Sequence, residues 1–207
     1  DSFEEMNITV GGMDVSQQTG GIGVNLVTRR GGDSISLGGR FYYTEEYFQA
    51  DNLTQEHIDA GVRNVNKIID IRDYGFNLGG PFVQDKAWWW ASYGVQNLKT
   101  LTVLGTSDDT ILTNFNGKLN FQLMPQNRLE IYGSAAKKEK YGRGASYSSP
   151  FGTHQFNFFH FGSPILKIQD EHMFGDNLFI SAKFTYVNSG FGLAAMYNEE
   201  SEEIGLY

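Results

Sequence analysis

The chain has 207 residues, enough for one domain or two small ones with a sizeable core. Its 24 Asp+Glu outnumber 16 Lys+Arg for a net charge of -8, which argues against a basic, phosphate-gripping face and so against a nucleic-acid binder. The absence of cysteine excludes disulfides, thiolate metal sites and a cysteine nucleophile.

No apolar run approaches the ~18–20 residues of a membrane helix. Charged residues make up only 19% of the chain, against an ordinary ~25%, while it holds 25 glycines and 14% aromatics. Together with a negative mean hydropathy, this composition suits strands that alternate between lipid and water. If such a chain crosses a bilayer, it does so as a closed barrel, the one sheet that leaves no backbone group unpaired in hydrocarbon. The sequence opens at Asp1 with neither Met nor a basic-then-apolar leader, and reads as an excerpt of a longer protein.

At the front, Phe3 to Gly12 reads as a short strand and turn, followed by Thr19-Gly20-Gly21-Ile22-Gly23-Val24-Asn25-Leu26-Val27-Thr28-Arg29-Arg30-Gly31-Gly32. Gly20-Gly21-Ile22-Gly23 is not a phosphate loop. Leu26 stands where the dinucleotide fingerprint needs a third glycine, and no helix or Lys-Ser/Thr pair follows. Glycine here lets the backbone turn tightly and pack close to a neighbour.

From Ser34 onward a period of two dominates. Ile35, Leu37, Gly39, Phe41 and Tyr43 form one face of a first strand, and Arg72 to Val83 alternates through Tyr74, Phe76, Leu78 and Phe82. Ala87 to Asn97 is a poorer match. The clearest segment is Thr110 to Leu123: Ile111, Thr113, Phe115, Gly117, Leu119, Phe121 and Leu123 oppose Leu112, Asn114, Asn116, Lys118, Asn120 and Gln122. Leu129, Ile131, Gly133 and Ala135 then oppose Arg128, Glu130, Tyr132 and Ser134. Pro164 to Met173 is poor, and Leu178, Ile180, Ala182, Phe184 and Tyr186 complete about seven strands.

The connections alternate long (45–71, 98–109, 138–163) and short (84–86, 124–127, 175–177), as in barrels with tight turns at one rim and long loops at the other. Trp88, Trp89 and Trp90 at one rim, and Tyr42 and Tyr43 at the other, suit interface aromatics. On this reading the apolar stripe meets lipid and the polar stripe an enclosed lumen. Lys is then disruptive at Phe115 or Leu119 and mild at Asn116 or Asn120. Seven strands do not close, which again implies more chain.

The four histidines, His57, His154, His160 and His172, form no metal-ligand spacing, and no Ser/His pair stands out. No catalytic residue, metal or cofactor is assigned, and the chain does not read as an enzyme. Ser146 to Pro164 packs Tyr147, Phe151, Phe156, Phe158, Phe159 and Phe161 among His154, Gln155, Asn157 and His160. Of these, Phe156, Phe158, Phe159 and His160 are the candidates for contact with a glycan or peptide. Packing onto neighbouring loops or joining an outer aromatic belt is the plainer alternative. Glu199, Glu200, Glu202 and Glu203 read as a solvated acidic loop.

Two stretches resemble one family. Residues 19–33 are similar to the end of the plug domain of TonB-dependent outer-membrane transporters, where a TGG…VN…T-K/R-x-G pattern leads into the first barrel strand. Here Gly20, Gly21, Asn25, Thr28, Arg29 and Gly31 carry the pattern. Asp73-Tyr74-Gly75-Phe76-Asn77-Leu78-Gly79-Gly80-Pro81-Phe82-Val83-Gln84-Asp85-Lys86 resembles a hairpin of the Oar-like branch, with Trp in the usual Phe places after it.

The resemblance implies an all-β fold: an antiparallel transmembrane barrel of about 22 strands, plugged from within. Residues 1–33 would be the C-terminal end of the plug and 34–207 the first barrel strands and loops. It implies a location in the outer membrane of a Gram-negative bacterium, among outer-membrane lipid and lipopolysaccharide. It further implies energy from a TonB complex acting through a region outside this sequence, and import of a solute (glycan, peptide or chelate) bound at the extracellular face. A passive porin-like or adhesion-type barrel is the alternative, and a soluble β-sandwich binding carbohydrate the next. A simple porin has no inserted plug, and a sandwich folds in buffer without detergent.

Overall fold

A computed structural model describes residues 3–11, 21–146 and 148–196. Gly20, Tyr147 and the acidic run Glu199, Glu200, Glu202 and Glu203 lie outside them. The described chain is all-β and antiparallel. An N-terminal hairpin of β1 (Phe3–Val10) and β2 (Ile22–Thr28) stands apart from one large sheet. That sheet is a meander of β3 (Ser36–Glu45), β4 (Lys67–Val83), β5 (Ala87–Leu101), β6 (Ser107–Met124), β7 (Asn127–Arg143), β9 (Ser163–Phe174) and β10 (Leu178–Val187), each paired to the next. Two short strands, β8 (Thr153–Asn157) and β11 (Phe191–Ala195), pair with each other, and β8 also pairs with the far end of β7. Among the described residues the sheet is open, with β3 and β10 as its two edges.

All seven segments with alternating hydropathy become strands, including the two poor matches. Their ends differ from expectation. β5 runs to Leu101 and β6 starts at Ser107, so the expected 98–109 connection shrinks to 102–106. β7 runs to Arg143, and β8 occupies part of the expected 138–163 connection. Ladder hydrogen bonds form whatever the hydropathy of the side chains, so strands continue past the point where alternation lapses into Asn97, Lys99, Asp108 and Asp109. At 18 residues, β6 is about 60 Å long.

β8 and β9 form one strand path interrupted at 158–162, and β10 and β11 form another interrupted at 188–190: Ile165 opposes Val187 and Asn157 opposes Phe191. The 46–66 connection holds a short helix, α1 (Gln55–Asp59). A reciprocal cap starts it: the His57 amide donates to Thr54 Oγ1 and the Thr54 amide to His57 Nδ1.

The register sorts side chains into two faces. One row crosses all seven strands as Leu37, Leu78, Ala91, Gly117, Gly133, Leu166 and Tyr186. The adjacent row on the opposite face reads Ser36, Gly79, Trp90, Lys118, Tyr132, Lys167 and Thr185. The first face is exposed: Leu37 is 78% accessible, Phe115 52% and Phe184 57%, and no second layer of described residues covers it. The second face holds the most buried residues, and these are mainly polar: Asn77, Ser92, Asn116, Lys118 and Asn120, beside Trp90 and Tyr132. A water-soluble sheet shows the opposite arrangement. We call the apolar face outer and the polar face inner.

Candidate functional site

The inner face carries clusters of polar side chains. Asn116 Nδ2 donates to Ser92 Oγ at 3.2 Å, and Tyr132 donates its hydroxyl to Asn116 Oδ1 at 3.0 Å. One register step on, Lys118 Nζ pairs with Glu130 Oε1 at 3.0 Å, while Asn120 Nδ2 donates to Glu130 Oε2 at 3.0 Å and Arg128 approaches the same oxygen at 3.5 Å. Further along, Arg40 Nε meets Asp73 Oδ1 at 2.7 Å, with Gln96 Nε2 on the other carboxylate oxygen at 3.3 Å. Burial removes water from Ser92, Asn116 and Lys118, and each finds a partner within the wall, whereas Asn120 Oδ1 is buried without one.

The N-terminal segment joins this wall at two places. Lys118 Nζ donates to Thr28 Oγ1 at 2.9 Å and lies 3.4 Å from the Thr28 carbonyl, at the end of β2. Beyond Thr28, the Asp33 carboxylate accepts from the Trp88 indole N–H at 2.6 Å and from the Asp85 amide at 3.1 Å, and the Gln84 side chain donates to the Asp33 carbonyl. Asp85 adopts φ 59° in this turn, a left-handed conformation that Asp tolerates better than most residues. Between the two contacts, Gly31 lies so close to the Trp89 backbone that a Cβ would overlap its carbonyl. A cleft of about 350 Å³, lined by Arg30, Asp33, Trp88, Asn120 and Arg128 among others, opens beside this junction. One of about 540 Å³ opens between the hairpin and the wall beside Lys118, Glu130, Tyr132 and Lys167.

The remaining plug-pattern residues are less engaged. Gly21 adopts φ +130° with open space around it, Asn25 faces Asn7 across the hairpin, and Arg29 Nε donates to the Phe3 carbonyl. The three tryptophans divide between faces. Trp89 shares the outer row with Leu119 and Ile131, whereas Trp88 and Trp90 are inner, and Trp90 is buried. Tyr43 is outer, across from Arg72, and Tyr42 is inner, across from Asp73. Of the five aromatics expected at the interface, Trp89 and Tyr43 lie on the outer face and Trp88, Trp90 and Tyr42 on the inner, because consecutive side chains of a strand point to opposite faces.

The aromatic segment is also resolved by register. Lys140 is inner and opposes Gln155, so His154 and Phe156 are outer. His154 stacks on the outer residue Tyr141 at 4.3 Å between ring centroids. Cβ atoms added at Gly190 and Gly192 would come within 2.6 Å of the Phe158 and Phe156 rings respectively, so these rings lie over bare backbone on the outer side. Phe156 and Phe158, expected to touch solute, therefore point away from the inner wall. Phe159 and His160 belong to the 158–162 interruption.

Sequence reasoning missed Lys118, Glu130 and Asp33 as a group. The one available signal was a lone cation, Lys118, in a stripe otherwise made of amides. Among the described residues, no group of three or more His, Cys, Asp or Glu is placed to hold a metal ion.

Part of the chain is similar to a characterised protein. It is 26% identical over 113 residues to the TonB-dependent transporter Oar of Myxococcus xanthus, a distant match covering 51% of this chain and 11% of that protein. No family model and no solved structure matches. The chain thus aligns with about a tenth of the length of a TonB-dependent transporter.

Proposed function

We propose that the chain is part of a TonB-dependent outer-membrane transporter. In this reading residues 1–33 are the end of the plug and 34–207 the first strands and loops of the barrel, which imports a solute with energy from a TonB complex. The observation that carries the reading is the inverted burial: Phe115 is half-exposed while its strand neighbour Asn116 is 6% accessible. In water this arrangement forfeits the hydrophobic gain of folding. In a bilayer the same arrangement places the apolar stripe in hydrocarbon and the amides in a wet interior.

Three features support the finer assignment. The outer rows become charged towards the loop-bearing rim, at Arg72, Lys137 and Glu139 and then Asp70, Lys99 and Asp109, where an apolar band would end. The N-terminal hairpin meets the inner face, as a plug does and as a simple porin gives no reason to expect. Met6, Ile8, Val10, Ile22, Val24 and Leu26 share one exposed face of that hairpin, and a two-stranded hairpin needs cover to be stable. Lipid and lipopolysaccharide would meet the outer face, and TonB would act on a region outside this sequence. The solute is unassigned, and its contacts would lie on the inner wall or at Phe159 and His160 rather than at Phe156 and Phe158.

The test uses the full-length protein in outer membranes, with nitroxides at Phe115→Cys and Thr185→Cys. The Phe115 label is expected to be accessible to lipid-dissolved oxygen and shielded from an aqueous nickel chelate, with the reverse at the inner residue Thr185. Equal accessibility at the two sites, or recovery of the protein as a detergent-free soluble monomer, overturns the reading.

A further inference from the structure

The two attachments of the N-terminal segment differ in kind, and we propose that they are a fixed anchor and a releasable latch. This rests on reading residues 1–33 as plug. The anchor is Gly31 with Asp33. The Asp33 carboxylate holds the 84–86 turn and Trp88 at once, and Gly31 is set against the Trp89 backbone with no room for a side chain. Undoing it breaks three hydrogen bonds to the 84–86 turn and Trp88 together, whereas among the described residues the hairpin is held through Lys118 alone, so residues 31–33 stay in place when the hairpin moves.

The latch is Lys118. Its ammonium bridges two partners, Glu130 on the wall at 3.0 Å and Thr28 on the hairpin at 2.9 Å. Among the described residues, it makes the hydrogen bonds that join β1 and β2 to the sheet. When Thr28 leaves, the cation remains paired with Glu130. Separation therefore leaves no uncompensated charge on the wall, the term that makes breaking a buried ion pair costly. Thr28 is a neutral acceptor that water can satisfy. The hairpin can thus leave and return about Arg29 and Arg30 without disordering β6 or β7.

The test is hydrogen exchange on the full-length protein in outer-membrane vesicles, with the variants Thr28→Val, Lys118→Met and Glu130→Gln. Thr28→Val touches no wall charge and is the informative change if Lys118→Met folds poorly. A hairpin off the wall is marginally stable, so loosening the latch exposes its amides. Thr28→Val is expected to speed exchange across Val24–Thr28 about tenfold, the worth of one hydrogen bond to a charged group. Exchange in β5 and at Asp85 should stay at the wild-type rate, and Glu130→Gln should not speed the hairpin. Wild-type hairpin exchange in Thr28→Val overturns the latch, whether or not Lys118→Met folds. Acceleration spreading equally into β5 overturns the separation of latch from anchor. If the protein is instead soluble without detergent, the transporter reading falls whatever the exchange rates show.

Discussion

Asp33 and Trp88, separated by 55 positions in the sequence, meet through an indole N–H that donates to the carboxylate at 2.6 Å, just where the N-terminal segment runs into the sheet. The same oxygen accepts the Asp85 amide, so one side chain fixes both the turn and the start of the next strand. Asp33→Ala is expected to cost about 1 kcal/mol, the net worth of hydrogen bonds at a site that water reaches. Denaturant unfolding in detergent measures it, and Trp88→Phe should cost less because it keeps the Asp85 contact.

Gly31→Ala is expected to be worse than its size suggests. The added methyl has to displace the Trp89 backbone, since rotation of a side chain cannot make room. We expect the junction, and with it the indole bond to Asp33, to be lost, seen as a change in tryptophan emission. Gly32→Ala is the control, because nothing stands within 4 Å of its Cβ position.

A lysine at Phe115 should destabilise the inserted protein by roughly 2–4 kcal/mol near the membrane midplane. The matching inner-face control is Thr185→Lys, on exposed β10. Asn116 and Asn120 are unsuitable, contrary to the expectation from alternation alone. Both are buried, Asn116 with Ser92 and Tyr132 and Asn120 with Glu130, so a lysine there breaks a network. Refolding titrations into vesicles that gave equal losses at Phe115 and Thr185 would contradict the two-face assignment.

Phe158→Trp reports which side the aromatic segment serves. On the outer face, at the margin of the apolar band, its emission should be quenched more by brominated lipid than by aqueous iodide. Strong iodide quenching relieved by added solute would return Phe158 to the solute-binding set.

The centres of the seven strands were legible because the period of two is imposed along each strand by what its two faces touch. Strand ends were not legible: backbone pairing at Lys99 with Asp109 or Thr110 with Lys140 needs no alternation. The faces of the tryptophans followed from parity once a register was known, but Trp90 among buried polar groups is a tertiary fact that no local pattern contains. The interruption at 158–162, with Phe156 over Gly192, was hidden because β8 lies in a stretch that the sequence reads as connection, so β9 shows no strand piece before it to be interrupted from. The Lys118–Thr28 contact spans 90 positions, and nothing near either residue announces the other.

The two bare margins of the sheet, along β3 and β10, have a practical consequence. Each is a row of amides and carbonyls that no strand among the described residues pairs, next to an oily surface, and such a row templates the addition of further strands. Expressed alone, these residues would stack copy upon copy into insoluble fibrils or inclusion bodies.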